Sequence, residues 1–147
     1  MKEPTKVNAK ISAGGQPSEE DIAALKASGV RKIINLRRAG EANQPLDPAA
    51  EGEVVKQAGL DYVHIPVDFA APTRAAFDAF ARAMDARTDQ RIHVHCAANY
   101  RVSAFYSLYA VRNGLCSQAD ADQLVAGLWD PTDHPAWTAL IADVRSD

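Results

Sequence analysis

Short apolar runs alternate along the chain with longer stretches in which apolar residues recur every three or four positions. Lys32-Ile33-Ile34-Asn35-Leu36, Tyr62 to Val67 (broken at Pro66) and Arg91-Ile92-His93-Val94-His95 read as strands, the last with Ile92 and Val94 on one face and His93 and His95 on the other. Ile11-Ser12-Ala13 reads as an early edge strand. Ser18, with Asp21 three residues on, caps a helix that turns Ile22 and Leu25 inward and stops at Gly29. Asp47-Pro48 opens a second helix, closed by Gly59. Thr73 opens a third with Phe77, Phe80 and Met84 on one stripe. A fourth runs from about Arg101 to Asn113 before Gly114. Ser117 and Asp120 cap a fifth, carrying Leu124, Val125 and Leu128, and the last starts near His134-Pro135 and buries Trp137, Leu140, Ile141 and Val144.

Strands alternating with helices of this length predict one α/β domain over residues 1–147, with a central, mainly parallel sheet of four to five strands flanked by helices. In such sheets the chemistry lies beyond the carboxyl ends of the strands. The chain shows no internal repeat and no low-complexity segment.

Composition sharpens this only at the edges. A chain of 147 residues, 47% hydrophobic and 24% charged, builds its core without a disulfide or metal staple. The formal charge of −3 makes nucleic acid an unsuitable main partner, though a local pocket can still hold one phosphate group. No apolar run reaches the ~20 residues of a membrane span. MKEPTKVNAK has no apolar core, so a cytoplasmic location is the expectation, with a periplasmic one, after removal of a signal peptide, as the alternative. Two cysteines, Cys96 and Cys116, are too few for a scaffold or a cysteine-rich zinc site; an important one is then reactive.

The informative junction is Ile92-His93-Val94-His95-Cys96-Ala97-Ala98-Asn99-Tyr100-Arg101-Val102-Ser103. Cys96 ends a strand and Arg101 starts a helix. Ala97, Ala98 and Asn99 are small or tolerate a left-handed backbone, so the loop can turn several amides toward one anion. The helix N-terminus adds partial positive charge, and Arg101 adds a two-pronged donor. The same field favours the thiolate of Cys96, a nucleophile for phosphoryl or sulfur transfer.

His95-Cys96 followed by Arg101 at such a turn resembles the signature loop of cysteine-dependent protein tyrosine and dual-specificity phosphatases. Upstream, Gly15-Gln16-Pro17-Ser18-Glu19-Glu20-Asp21, Gly29-Val30, Ile33-Ile34-Asn35-Leu36-Arg37 and Glu41 resemble the opening of the small bacterial beta-lactamase hydrolase-like phosphatases. The resemblance covers about residues 11–113 and implies a phosphatase-like domain that needs no cofactor or metal. It implies Cys96 as nucleophile, Arg101 as the binder of the transferring group, and Ala97, Ala98, Asn99 and Tyr100 as the rest of the phosphate loop. Asp68, 28 residues before Cys96 at the carboxyl end of a strand, fits the family's general acid. His95 and Ser103 would support the loop, and a phosphorylated protein or small molecule would be the substrate.

The sequence departs from the family pattern in three ways. Four residues, not five, separate Cys96 from Arg101, a spacing shared with rhodanese-type sulfurtransferases that work through a cysteine persulfide. Asn99 stands where glycine is usual. Val102 displaces the hydroxyl residue to Ser103. Phosphate-monoester hydrolysis through a phosphocysteine is the leading reading; sulfur transfer and a weakly active phosphate-binding module are the alternatives.

Other residues carry weaker signals. The four histidines lack a carboxylate at ligand spacing, which argues against a metal site. Arg37 and Arg38 either border the active site or lie in a solvated loop. Cys116 reads as packing, and Tyr100 could rim the pocket.

Overall fold

The computed structural model describes residues 5–6, 11–85 and 90–147. Most of the amino-terminal stretch considered above lies outside them. In chain order the elements are β1 (Thr5–Lys6), β2 (Ile11–Gly14), α1 (Glu19–Ala27), β3 (Lys32–Asn35), α2 (Pro48–Gln57), β4 (Asp61–His64), α3 (Arg74–Asp85), β5 (Ile92–His95), α4 (Tyr100–Arg112), α5 (Gln118–Ala126) and α6 (Pro135–Arg145), with a 3-10 turn at Pro131–Asp133 before α6.

The sheet has the order β1-β2-β5-β3-β4. β2, β5, β3 and β4 run parallel, and β1 is antiparallel to β2. β2 is therefore not an edge: its Ile11–Gly14 pairs with Ile92–His95 on one side and β1 takes the other. β5 sits in the middle, so the residue after His95 emerges centrally at the carboxyl end of the sheet.

The period-2 pattern splits the core in two. Ile33 joins Ile22 and Leu25 of α1, Val55 of α2, Val30 and Leu60 on one face. Ile34, Ile92, Val94, Ile11 and Ala13 pack with Phe77, Phe80, Phe105 and Trp137 from α3, α4 and α6 on the other. Both faces are covered, as a parallel sheet requires. α4 is buried along nearly its whole length, from Arg101 to Ala110.

The predicted caps form. Ser18 and Asp21 make a reciprocal capping box, and the Asp47 and Ser117 side chains accept from the amides of Ala50 and Asp120. β4 ends at His64, short of the Val67 predicted, because Pro66 has no amide to donate. α5 also differs from expectation. It ends at Ala126, short of Leu128, buries Ala121 and Val125, one turn apart, and leaves Leu124 exposed; Leu128, beyond its end, is exposed too. No helix of the described residues is long and apolar enough to cross a membrane.

Candidate active site

Cys96 follows directly on β5 and is 1% exposed, packed into the larger core cluster. Ala97 and Ala98 are exposed and Asn99 is half-buried. Asn99 adopts φ 68, the left-handed conformation that turns the loop into α4, and asparagine bears this better than most residues with a Cβ. The first backbone bond of α4 runs from the amide of Ser103 to the carbonyl of Asn99, at 2.8 Å. Ahead of it the amides of residues 97–102 have no partner in the described chain, as befits a helix start able to receive an anion. The Oδ1 of Asn99 is likewise buried and unpartnered.

Arg101 is held rigidly. Its Nη1 donates to Oε2 of Glu41 at 2.7 Å and to the carbonyl of Val67 at 3.0 Å, and its Nη2 donates to Oε1 of Glu41 at 2.9 Å. Three of the guanidinium's five N–H donors are thereby used. The remaining two, on Nε and Nη2, lie along one edge, where the guanidinium also hydrogen-bonds Cys96, and a fork of this shape fits two oxygens of a tetrahedral anion. Burial disfavours the charge on Arg101, but the Glu41 hydrogen bonds and the charges of Cys96 and Glu41 outweigh it and raise its pKa. Burial likewise pushes Glu41 up, yet hydrogen bonds from Arg101, the Arg38 amide and Arg37 bring its carboxyl down to about 2. The pair is ionised at any physiological pH.

Behind this pair lies a polar network. Arg37, 3% exposed, donates from Nε to Glu41 Oε1 at 3.0 Å and from Nη1 to Gln16 Oε1 at 3.2 Å. Gln16 Nε2 donates to Glu51 Oε1 at 2.7 Å, and Glu51 Oε2 meets His95 Nε2 at 2.7 Å, with both of the latter side chains fully buried. Arg37 is thus neither a substrate-reading residue nor a solvated one; Arg38 is the exposed member of the pair.

Asp68 lies in the loop after β4, one residue beyond the Val67 carbonyl that Arg101 holds. Its Oδ1 accepts from the Ala70 amide at 2.9 Å, and its Oδ2 is 3.6 Å from Nη1 of Arg38. Ser103 donates from Oγ to the Tyr100 carbonyl at 2.8 Å and accepts from Nε1 of Trp129 at 3.1 Å, so it braces the first turn of α4 from behind. Tyr100 is 38% exposed and stacks on Trp129 at 5.5 Å between centroids, with Phe69 nearby at 6.1 Å. Cys116 is half-buried against the core.

Arg101 thus meets both Cys96 and the carbonyl that precedes Asp68, while the Asp68 side chain itself meets Ala70 and Arg38. Sequence reasoning did not assign roles to Glu41, Gln16 and Glu51. For Glu51 a signal existed: a glutamate followed by glycine on the inner face of a helix with few large apolar residues marks a buried polar contact.

The chain is 34% identical over 119 residues to the beta-lactamase hydrolase-like protein of Xylella fastidiosa (strain Temecula1), a match covering 80% of this chain and 27% of that protein. It spans about a quarter of the length of that relative. A candidate phosphatase (DUF442) of Shewanella putrefaciens CN-32 superposes with a TM-score of 0.86 at 34% identity, over 97% of this chain and 88% of that one. TpbA of P. aeruginosa, in complex with pTyr, shares the fold at 15% identity, with a TM-score of 0.72 over 97% of this chain and 86% of its own. The model of the PTP-NADK family, DSP-PTPase phosphatase fused to NAD+ Kinase, matches residues 2–128, and the chain belongs to that family.

Proposed function

We propose that this domain hydrolyses phosphate monoesters through a phosphocysteine intermediate, without a metal or cofactor. The observation that carries the reading is the Nε–Nη2 edge of Arg101, which Glu41 leaves uncommitted and which meets Cys96 at the start of α4. In the first step the Cys96 thiolate attacks phosphorus, the bond to the leaving oxygen breaks, and the Asp68 carboxyl gives that oxygen its proton. Arg101 and the amides of residues 97–102 bear the charge on the transferring group, the role of a preorganised oxyanion site. In the second step the Asp68 carboxylate takes a proton from water, the water oxygen attacks phosphorus, and the S–P bond breaks to return the thiolate and inorganic phosphate.

Phosphotyrosine, bound by the related fold of TpbA, is the natural first substrate to try, and the exposed ring of Tyr100 offers it an aromatic neighbour. The four-residue spacing from Cys96 to Arg101 is compatible with the competing sulfurtransferase reading and does not decide between the two, but sulfur transfer has no use for Asp68. Side-by-side assays with an aryl phosphate and with thiosulfate plus cyanide separate the two. Turnover of the phosphate alone is the expected result, and thiocyanate formation without phosphate release would overturn it.

A further inference from the structure

The Gly15-Gln16-Pro17 turn takes no part in the chemistry proposed above, yet it touches both ends of the catalytic loop's support. We propose that Gln16 is a positioning residue for that chemistry: it joins the carboxylate that holds His95, next to the nucleophile, to the pair that holds Arg101. The inference rests on the phosphatase reading, and its test separates the two.

The amide of Gln16 lies between groups of opposite need. Glu51 is an acceptor and receives the Nε2 hydrogen at 2.7 Å; Arg37 is a donor and finds Oε1 at 3.2 Å. These partners fix the orientation of the amide, since the flipped form would face donor to donor and acceptor to acceptor. No other side chain of this length offers a donor and an acceptor on one terminal carbon without a charge. On the Glu51 side the chain of contacts continues to His95 at 2.7 Å, and His95 is covalently next to Cys96. On the Arg37 side it continues to Glu41 at 3.0 Å and then, at 2.7 and 2.9 Å, to Arg101. His95, Glu51, Arg37 and Arg101 are all buried, so little water is present to replace a lost link.

Gly15 brings the turn close enough. A Cβ at that position would stand 3.0 Å from the carbonyl oxygen of Ala97, a backbone atom that cannot swing aside. The turn therefore abuts the catalytic loop itself as well as the side chains beneath it.

The test compares wild type with Gln16→Met, which keeps length and loses all three side-chain hydrogen bonds, to Glu51, Arg37 and the Pro17 carbonyl, and Gln16→Glu, which keeps an acceptor toward Arg37 but sets a carboxylate against Glu51. Tungstate affinity by calorimetry, kcat and KM on an aryl phosphate, and melting temperature are measured on each. Gln16→Met is expected to weaken tungstate binding and lower kcat/KM by roughly ten- to hundredfold, the size of effect that small misplacements produce. Gln16→Glu is expected to bind tungstate closer to wild type while its kcat falls. Val144→Ala, a core truncation on α6, serves as the stability control: its melting temperature falls while tungstate affinity holds.

An active wild type whose two Gln16 variants bind tungstate and turn over normally would overturn the inference and leave the phosphatase reading standing. A wild type that neither binds tungstate nor cleaves aryl phosphates would overturn the phosphatase reading itself. Should Gln16→Met fail to fold, the kcat of Gln16→Glu decides alone, with an unchanged value overturning the inference.

Discussion

Glu41 meets Arg101 across 60 residues of sequence with both carboxylate oxygens, at 2.7 and 2.9 Å, and so decides which edge of the guanidinium is left open. Removing that carboxylate leaves a buried cation without its counter-charge. Glu41→Ala is expected to cost on the order of 3 kcal/mol of stability and to weaken oxyanion binding, because the guanidinium is then free to rotate. Denaturant melts and vanadate inhibition check this together. Unchanged inhibition would mean that the Val67 carbonyl alone orients Arg101.

Cys96→Ser should abolish nearly all aryl-phosphatase activity, since a serine hydroxyl has no comparable ionised form at neutral pH. Cys116→Ser, half-buried against the core, should retain most of it. Steady-state assays suffice, and substantial turnover by Cys96→Ser would exclude a phosphocysteine.

Arg101→Lys keeps one positive charge but cannot engage both oxygens of Glu41 and a two-oxygen fork at once. A fall in kcat/KM of at least about a hundredfold is expected, of the size seen when one oxyanion donor is removed. Vanadate and tungstate, which should compete with substrate in wild type, should lose potency in parallel. Wild-type kinetics in this variant would locate the anion elsewhere.

For Asp68 the measurement is a leaving-group series. Asp68→Asn is expected to slow poor leaving groups by about 10²–10⁴-fold and activated aryl phosphates far less, because the latter need little protonation. The basic limb of the pH–rate profile should change as well. Asp68 also caps the turn at Ala70, and loss of that contact alone predicts a lower melting temperature with the same rate ratio for every leaving group.

Acid should destabilise the fold in two stages. Burial, with the charge of His95 beside it, pushes His93 from 6.5 down to about 3, and hydrogen bonds from Arg101, the Arg38 amide and Arg37 overcome burial to take Glu41 from 4.5 to about 2. Both folded-state values lie below those of the unfolded chain, so between them the unfolded chain binds more protons. The His93 contribution is complete above 6.5 and declines as pH falls toward 3; that of Glu41 is complete above 4.5 and declines toward 2. Melting temperature against pH should fall along this course, and His93→Phe should flatten the upper stage. An unchanged slope in that variant would assign the protons to other groups.

What the sequence disclosed follows from the range of the forces involved. Helix starts at Ser18, Asp47 and Ser117 were legible because a cap is settled within four residues. The strand-to-helix turn at Cys96 was legible for the same reason. The exposure of Leu124 was not, since which stripe of a short helix faces inward depends on its packing against α4. Nor were the roles of Glu41 and Glu51, whose partners Arg101 and His95 lie 60 and 44 residues away. Local periodicity carries no information about pairings at that separation. β2 looked like an edge because its outer neighbour is a strand of two residues, too short to leave a pattern.

Trp137 is fully buried among Phe105 and the other core rings, and its indole donates to the carbonyl of Phe69 at 2.8 Å. Phe69 directly follows Asp68, and the carbonyl that directly precedes Asp68 is held by Arg101. The backbone on either side of Asp68 is therefore pinned, at one end by the guanidinium and at the other by the last helix. A wide flap swinging over the substrate would have to tear both fastenings. Such motion as the loop has is a swivel of the carboxyl about its own side-chain bonds, so turnover should not wait on a slow closing movement.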